Sequence, residues 1–301
     1  MHETKRAHLA AIPPIPAILG GIVSVQGGAA MAKGLFPALG ATGTVGLRVG
    51  LSAIMLLAAF RPRLRRVTAA QWRAVIPYGL VLGTMNIVFY LALSRIPLGV
   101  AVAVEFVGPL AVAVFGSRRA VDMAWVVLAA AGIALIAPWA GGGADALGVA
   151  LALAAGACWA AYILLGGRVS RLIPGGAPVA TGMMIASFVA LPAAVATGGF
   201  ARLTLPLFAA GIGVALLSSA IPYTLEMIAL KELPARTFGI LMSVEPAVAA
   251  LVGLVFLHEL LSLRQWLAVA LIIAASTGST LTSRPAEPIA GGGSGEGWQG
   301  G

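Results

Sequence analysis

The chain has 301 residues, 60% of them hydrophobic and only 10% charged, against about a quarter charged in an ordinary soluble domain. That balance excludes a water-soluble globule and makes the lipid bilayer the solvent. A net charge of +9 would suggest nucleic acid in a soluble chain, but here it is read as a topology signal, and no nucleic-acid partner is implied.

Neither disulfides nor a metal site are expected. The one cysteine, Cys158, lies inside an apolar run, and His2, His8 and His258 stand apart from one another. No cleavable signal peptide is expected either, because more spans follow the first apolar run without a cleavage site.

Apolar runs near the ~20 residues needed to cross a bilayer fall at 15–36, 41–60, 74–94, 98–116, 123–139, 147–167, 178–197, 207–230, 235–257 and 263–281, ten in all. In the first, Gly20, Ser24, Gly28 and Ala32 form a stripe of small residues that lets another helix approach closely. Gln26 interrupts the apolar pattern. It either cross-links helices or offers a donor and an acceptor to the charged ends of an amino acid. Lys33 and Arg48 lie near one end of their runs, where long basic side chains snorkel to the interface, so they are read as structural or gating residues.

The third run carries Asn86 and Tyr90. The fourth, 98–116, carries one carboxylate, Glu105, four residues before Pro109. A charge at mid-membrane costs at least about 2.5 kcal/mol, and an interior proline removes a backbone hydrogen bond, so the pair reads as a binding site. The structural alternative is a carboxylate held by Arg48 or by backbone. In the sixth run Trp159 and Tyr162 share a face at i, i+3 spacing, beside a second stripe of Gly148, Ala152, Gly156 and Ala160. Tyr223 and Glu226 follow in the eighth run, and Glu245 directly precedes Pro246 in the ninth.

A gapless shift of 137 positions superimposes Leu93 on Leu230, Pro97 on Pro234, Val107 on Val244, Pro109 on Pro246 and Gly116 on Gly253, with Tyr223 opposite Asn86. Glu245 falls opposite Gly108, one turn along the same face from Glu105. The chain therefore reads as two copies of one unit, residues 15–140 and 145–282, followed by a Gly-rich cytoplasmic tail at 283–301 expected to be disordered. Five spans per copy is an odd number, so the copies run in opposite directions across the membrane. With the N-terminus in the cytoplasm, fourteen Lys and Arg residues fall inside and four outside, which puts both termini in the cytoplasm. The expected fold is all-α and integral to the membrane: ten transmembrane helices as two inverted five-helix repeats. Inverted repeats around a midplane site are the plan of secondary transporters.

No phosphate-binding loop and no Ser/His/Asp or H-E-x-x-H set appears, so neither a nucleotide, a cofactor nor enzymatic catalysis is expected. Glu105, Glu245 and Glu226 are the candidate proton-coupling acids. Gln26, Asn86, Tyr90, Glu105, Trp159, Tyr162, Tyr223 and Glu245 are the candidate substrate contacts, and Pro109 and Pro246 the candidate helix breaks.

E-F-V-G-P-L at Glu105 to Leu110 and M-S-V-E-P-A at Met242 to Ala247, on ten spans in two copies, resemble the drug/metabolite transporter superfamily of the EamA type. The runs S-V-Q-G-G-A-A-M-A-K from Ser24, P-L-G-V-A-V-A-V-E-F from Pro97, G-A-C-W-A-A-Y-I-L from Gly156, P-Y-T-L-E-M-I-A-L from Pro222 and R-T-F-G-I-L-M-S from Arg236 are similar to its amino-acid efflux branch. The resemblance implies a bacterial inner-membrane exporter that spends the proton gradient to expel small amino acids such as L-threonine and L-homoserine. Export of another metabolite or drug, aromatic amino acids for example, and passive conduction through a channel are the alternatives.

Overall fold

The computed structural model describes residues 13–115, 120–136, 145–173, 176–222, 225, 238 and 241–282. Among the described residues the backbone is helical, with no strand, as lipid demands of chains whose polar backbone groups find no water. The helices are α1 (Pro14–Phe60), α2 (Ala69–Leu93), α3 (Leu98–Glu105), α4 (Val107–Phe115), α5 (Ala120–Ile136), α6 (Ala146–Leu172), α7 (Ala177–Ala196), α8 (Leu205–Ala215), α9 (Glu245–Leu257) and α10 (Leu263–Thr282); a π turn, Leu216–Ala220, continues α8. Of these, α1, α2, α6, α7 and α10 are long and apolar enough to cross a membrane. The chain is a multi-pass membrane protein. Tyr223, Glu226 and the tail at 283–301 lie outside the described residues.

Two run boundaries differ from expectation. The first two runs are limbs of one 47-residue helix, which bends at Gly40 with φ 67° and ψ 169°, a conformation that only glycine adopts without strain. The fourth run is two helices, with Phe106 between α3 and α4.

Close crossings hold the helices together, and glycines permit them. Gly43 on the second limb of α1 meets Gly199, which follows α7; a Cβ on Gly43 would come 2.7 Å from the Gly199 Cα. Gly83 on α2 approaches the Ala186 carbonyl of α7, Gly99 on α3 meets Ala250 of α9, and Gly132 on α5 meets Ala268 of α10. The small-residue stripe of the first limb packs on the π turn: Gly28 touches Ser218, and the Ser24 hydroxyl donates to the Leu217 carbonyl at 2.7 Å. The second stripe, on α6, packs Gly148 against Ile96 and Gly156 against the backbone of Glu105. α6 is capped by Asp145, whose carboxylate accepts the Gly148 N–H at 2.8 Å. That bond, with Arg95 beside it, holds this exposed carboxyl below its usual range.

A methyl group at residue 156 would lie 2.7 Å from the Glu105 carbonyl oxygen, whereas one at Gly167, further along α6, meets nothing within 4 Å. Gly156→Ala is expected to cost about 1–3 kcal/mol through overpacking, and Gly167→Ala to be neutral or stabilising by up to about 1 kcal/mol. Melting temperatures of the two purified variants in detergent check the contrast; equal shifts would contradict it.

Candidate functional site

Five helices and the π turn enclose a cavity of about 130 Å³ lined by Gln26, Arg48, Asn86, Tyr90, Glu105, Trp159, Ser218 and Glu245, with Val25, Ala29, Met85, Phe89 and Val102 as its apolar wall. It is smaller than the ~300–1,000 Å³ of sites for drug-sized ligands. Six of the residues expected from sequence to contact substrate therefore face one space, together with Arg48 and Ser218.

Each polar group is brought there by a local backbone cause. Pro109 has no N–H to give the Glu105 carbonyl, so the helix breaks one turn earlier, at Phe106, and Glu105 becomes the last residue of α3. Its side chain is 7% exposed and meets no hydrogen-bond donor among the described residues. Glu245 is the first residue of α9, with Pro246 in the first turn. There the missing N–H of proline costs nothing, and the start of a helix favours a carboxylate. Gln26, 2% exposed, donates Nε2 to Glu245 Oε1 at 2.9 Å, while its own oxygen has no donor among the described residues.

Arg48, expected to reach toward the interface, faces the cavity instead. It does not snorkel. One terminal nitrogen donates to Asn86 Oδ1 at 3.0 Å and to the Tyr90 hydroxyl at 3.3 Å, the other to the Ser218 carbonyl at 3.4 Å, and the guanidinium stands 5.5 Å from the centre of the Tyr90 ring. Asn86 is turned to receive it because its amide donates to the Leu82 carbonyl at 2.8 Å. The Ser218 carbonyl is reachable because the π turn shifts the α8 ladder, a common device at functional sites. An intramembrane ionisable residue is a functional candidate by default, and applying that rule to Arg48 as it was applied to Glu105 would have placed it among the candidates.

Tyr162 is not brought to this cavity. Its ring stacks on Tyr78 with centroids 4.9 Å apart, and the two hydroxyls are 3.1 Å apart. Trp159 is at the cavity, edge-to-face with Phe106 at 5.1 Å. Beyond that pair lies a second cavity of about 210 Å³ lined by Phe106, Pro109, Trp159, Phe238, Met242 and Ser276 among others.

At the end of the first limb of α1, one turn or two before the Gly40 bend, Lys33 ties three segments together. Its Nζ pairs with Glu259 Oε1 at 2.6 Å and donates to the Ile96 carbonyl at 2.8 Å. The second oxygen of Glu259 accepts the Leu98 N–H at 2.7 Å, which caps α3 where Pro97 provides no side-chain cap. Lys33 is thus a gating candidate held by geometry, not a snorkelling chain.

A model of the EamA-like transporter family matches residues 146–281. The threonine/homoserine exporter RhtA of Escherichia coli (strain K12) is 49% identical over 278 residues, spanning 92% of this chain and 94% of that one. This chain belongs to the EamA-like transporter family. Its likeness to the protein of the same name from Salmonella typhimurium (strain LT2) is 50% identity over 273 residues, 90% of this chain and 92% of that one. One crystal structure, 22% identical, shares the fold with a TM-score of 0.57 over 88% of this chain and 97% of the other.

The Lys33–Glu259 pair keeps side-chain exposures of 20% and 14%, between the surface limit, where such pairs contribute about 0–1 kcal/mol, and the buried limit, where breaking one costs about 3–5. Lys33→Met, which leaves Glu259 and the Ile96 carbonyl without their cation, should cost about 1–3 kcal/mol. The double variant Lys33→Met/Glu259→Leu should cost less than the sum of the single ones. Thermal melting of the three variants measures the coupling, and strict additivity would deny the pair its role.

Proposed function

We propose that this protein exports small amino acids, L-threonine, L-homoserine and their analogues, by alternating access driven by proton antiport. The names and near-full-length similarity of its relatives support the substrate class. The observation that carries the mechanism is one cavity into which both Glu105 and Glu245 open, one acid from each half of the chain.

The proposed architecture is ten spans in two inverted five-helix repeats, 15–140 and 145–282, in a bacterial inner membrane, with both termini and the tail at 283–301 in the cytoplasm. The family match over 146–281 fits the second repeat. Helix contacts support the symmetry. Exchanging the halves maps the packing of α1 on α7, α3 on α9 and α5 on α10 onto itself, and exchanges that of α2 on α6 with that of α1 on α8. The excess of Lys and Arg on one side supports the orientation.

In the cycle proposed, Glu105 and Glu245 take up protons from outside or hold the cargo ammonium, but not both at once. Gln26, Asn86 and Tyr90 orient the cargo, and Trp159 shapes the space. In this conformation the Lys33–Glu259 tie closes the outer end, and the Phe106–Trp159 pair separates cargo from the second cavity, on the cytoplasmic side. Tyr162 acts as support for the wall through Tyr78. Tyr223 and Glu226 remain proposed as a contact and an auxiliary acid. The small cavity favours threonine-sized cargo over aromatic amino acids.

Purified protein in liposomes with a set pH gradient tests the proposal. Radiolabelled threonine should accumulate against its own gradient, a trapped pH-sensitive dye should report proton movement in the opposite sense, and labelled aromatic amino acids should be poorer cargo. Glu105→Gln should abolish gradient-driven accumulation while melting like the wild type. Threonine flux without proton movement would make the protein a channel, and full accumulation by Glu105→Gln would remove that acid from coupling.

A further inference from the structure

Arg48 is a cation in a cavity with two acids, yet it is paired with neither. The ion pairs among the described residues are Lys33–Glu259 and Arg95–Asp145, and every partner of the Arg48 guanidinium is neutral: an amide oxygen, a hydroxyl and a backbone carbonyl. Guanidinium carries five N–H donors in a planar fork suited to a carboxylate, so three bonds to neutral acceptors, the longest at 3.4 Å, leave donors of the fork unmatched. Its orientation is nevertheless fixed from three sides, by Asn86 locked to Leu82, by the Tyr90 ring, and by the Ser218 carbonyl. A cation so held, whose direct partners are all neutral and whose fork keeps free donors, is a receptor for an anionic group on a ligand.

We infer that Arg48 binds the α-carboxylate of the cargo, so the cavity recognises a free amino acid at two points, carboxylate at Arg48 and ammonium at the acids. This deepens the export reading and rests on it. It also divides the chemistry of exchange. Protons compete with the ammonium for Glu105 and Glu245, while the grip on the carboxylate stays constant because guanidinium does not titrate. A zwitterion with a short side chain satisfies both ends within about 130 Å³; an amine without a carboxylate leaves Arg48 unmatched.

The experiment compares equilibrium binding of L-threonine and L-threoninamide, which differ only in the carboxylate, to the purified protein. Wild type should prefer threonine by about 10- to 100-fold, the worth of a hydrogen-bonded charge. Arg48→Gln should lose that factor for threonine, keep its weak binding of threoninamide, and bring the ratio near one. Arg48→Lys, a point charge without the fork, should keep a reduced preference, and it carries the test if Arg48→Gln fails to fold. A wild type that binds the two ligands equally, or a folded Arg48→Gln or Arg48→Lys with the full wild-type preference, overturns the inference while leaving export intact. A folded Arg48→Gln that weakens for both ligands alike makes Arg48 merely structural and also overturns it. A wild type that binds neither ligand overturns the export reading and this inference with it.

Discussion

A bilayer gives an unmatched polar atom nowhere to go, and this structure is a set of answers to that constraint. Each irregularity in the backbone releases a group that a side chain or a close helix from elsewhere must meet. The Leu98 N–H at the start of α3 is met by Glu259, more than 160 residues away in sequence; the π turn exposes the Leu217 and Ser218 carbonyls, and Ser24 and Arg48 take them. The irregular stretches are thus where the halves of the chain are tied together, and where polar chemistry exists at membrane depth.

Glycine performs the complementary task. Where side chains must meet in the middle, the backbones around them have to come close, and hydrophobic driving force does not bring helices together in lipid. Gly156 lets α6 ride against the Glu105 backbone, directly where Pro109 has interrupted the ladder. The crossing and the break therefore belong to one arrangement: proline opens the helix, glycine admits its neighbour, and the carboxylate between them is left facing the cavity.

Much of this was legible in the sequence, and what was not has a physical reason. Gln26, Asn86, Tyr90, Glu105, Trp159 and Glu245 stood out because each is polar or aromatic against an apolar background, and the structure gathers all six around one space. Spacing alone could not separate Trp159 from Tyr162: i, i+3 residues share a face, but one face spans both a cavity and a helix contact, and only the position of Tyr78 decides between them. The snorkelling expected of Arg48 and Lys33 is not seen, because their distance from a run's end stood in for their distance from water. The bend at Gly40 and the packing of α7 against the second limb keep Arg48 inside the protein, and nothing in the local pattern reveals a partner such as Glu259 far along the chain.

In the proposed cycle the two closures of the central cavity differ in kind, which bears on how alternation would work. An aromatic edge-to-face contact such as Phe106–Trp159 contributes about 0.5–1.5 kcal/mol and separates without leaving any polar group unmatched. The Lys33–Glu259 tie is directional and ionic, and deleting one partner leaves the other without its charge. Opening is a different event from deletion. When the helices part, both charges and the Ile96 carbonyl reach water together, so the lost attraction is repaid by hydration and the net cost falls toward the surface limit of about 0–1 kcal/mol. The ionic closure thus fixes the geometry of the closed end more than it deepens the energy well. Under the proposed mechanism, two closures of comparable, small net cost would leave the balance between the states to what occupies the cavity, so that cargo and protons, not the gates, set it.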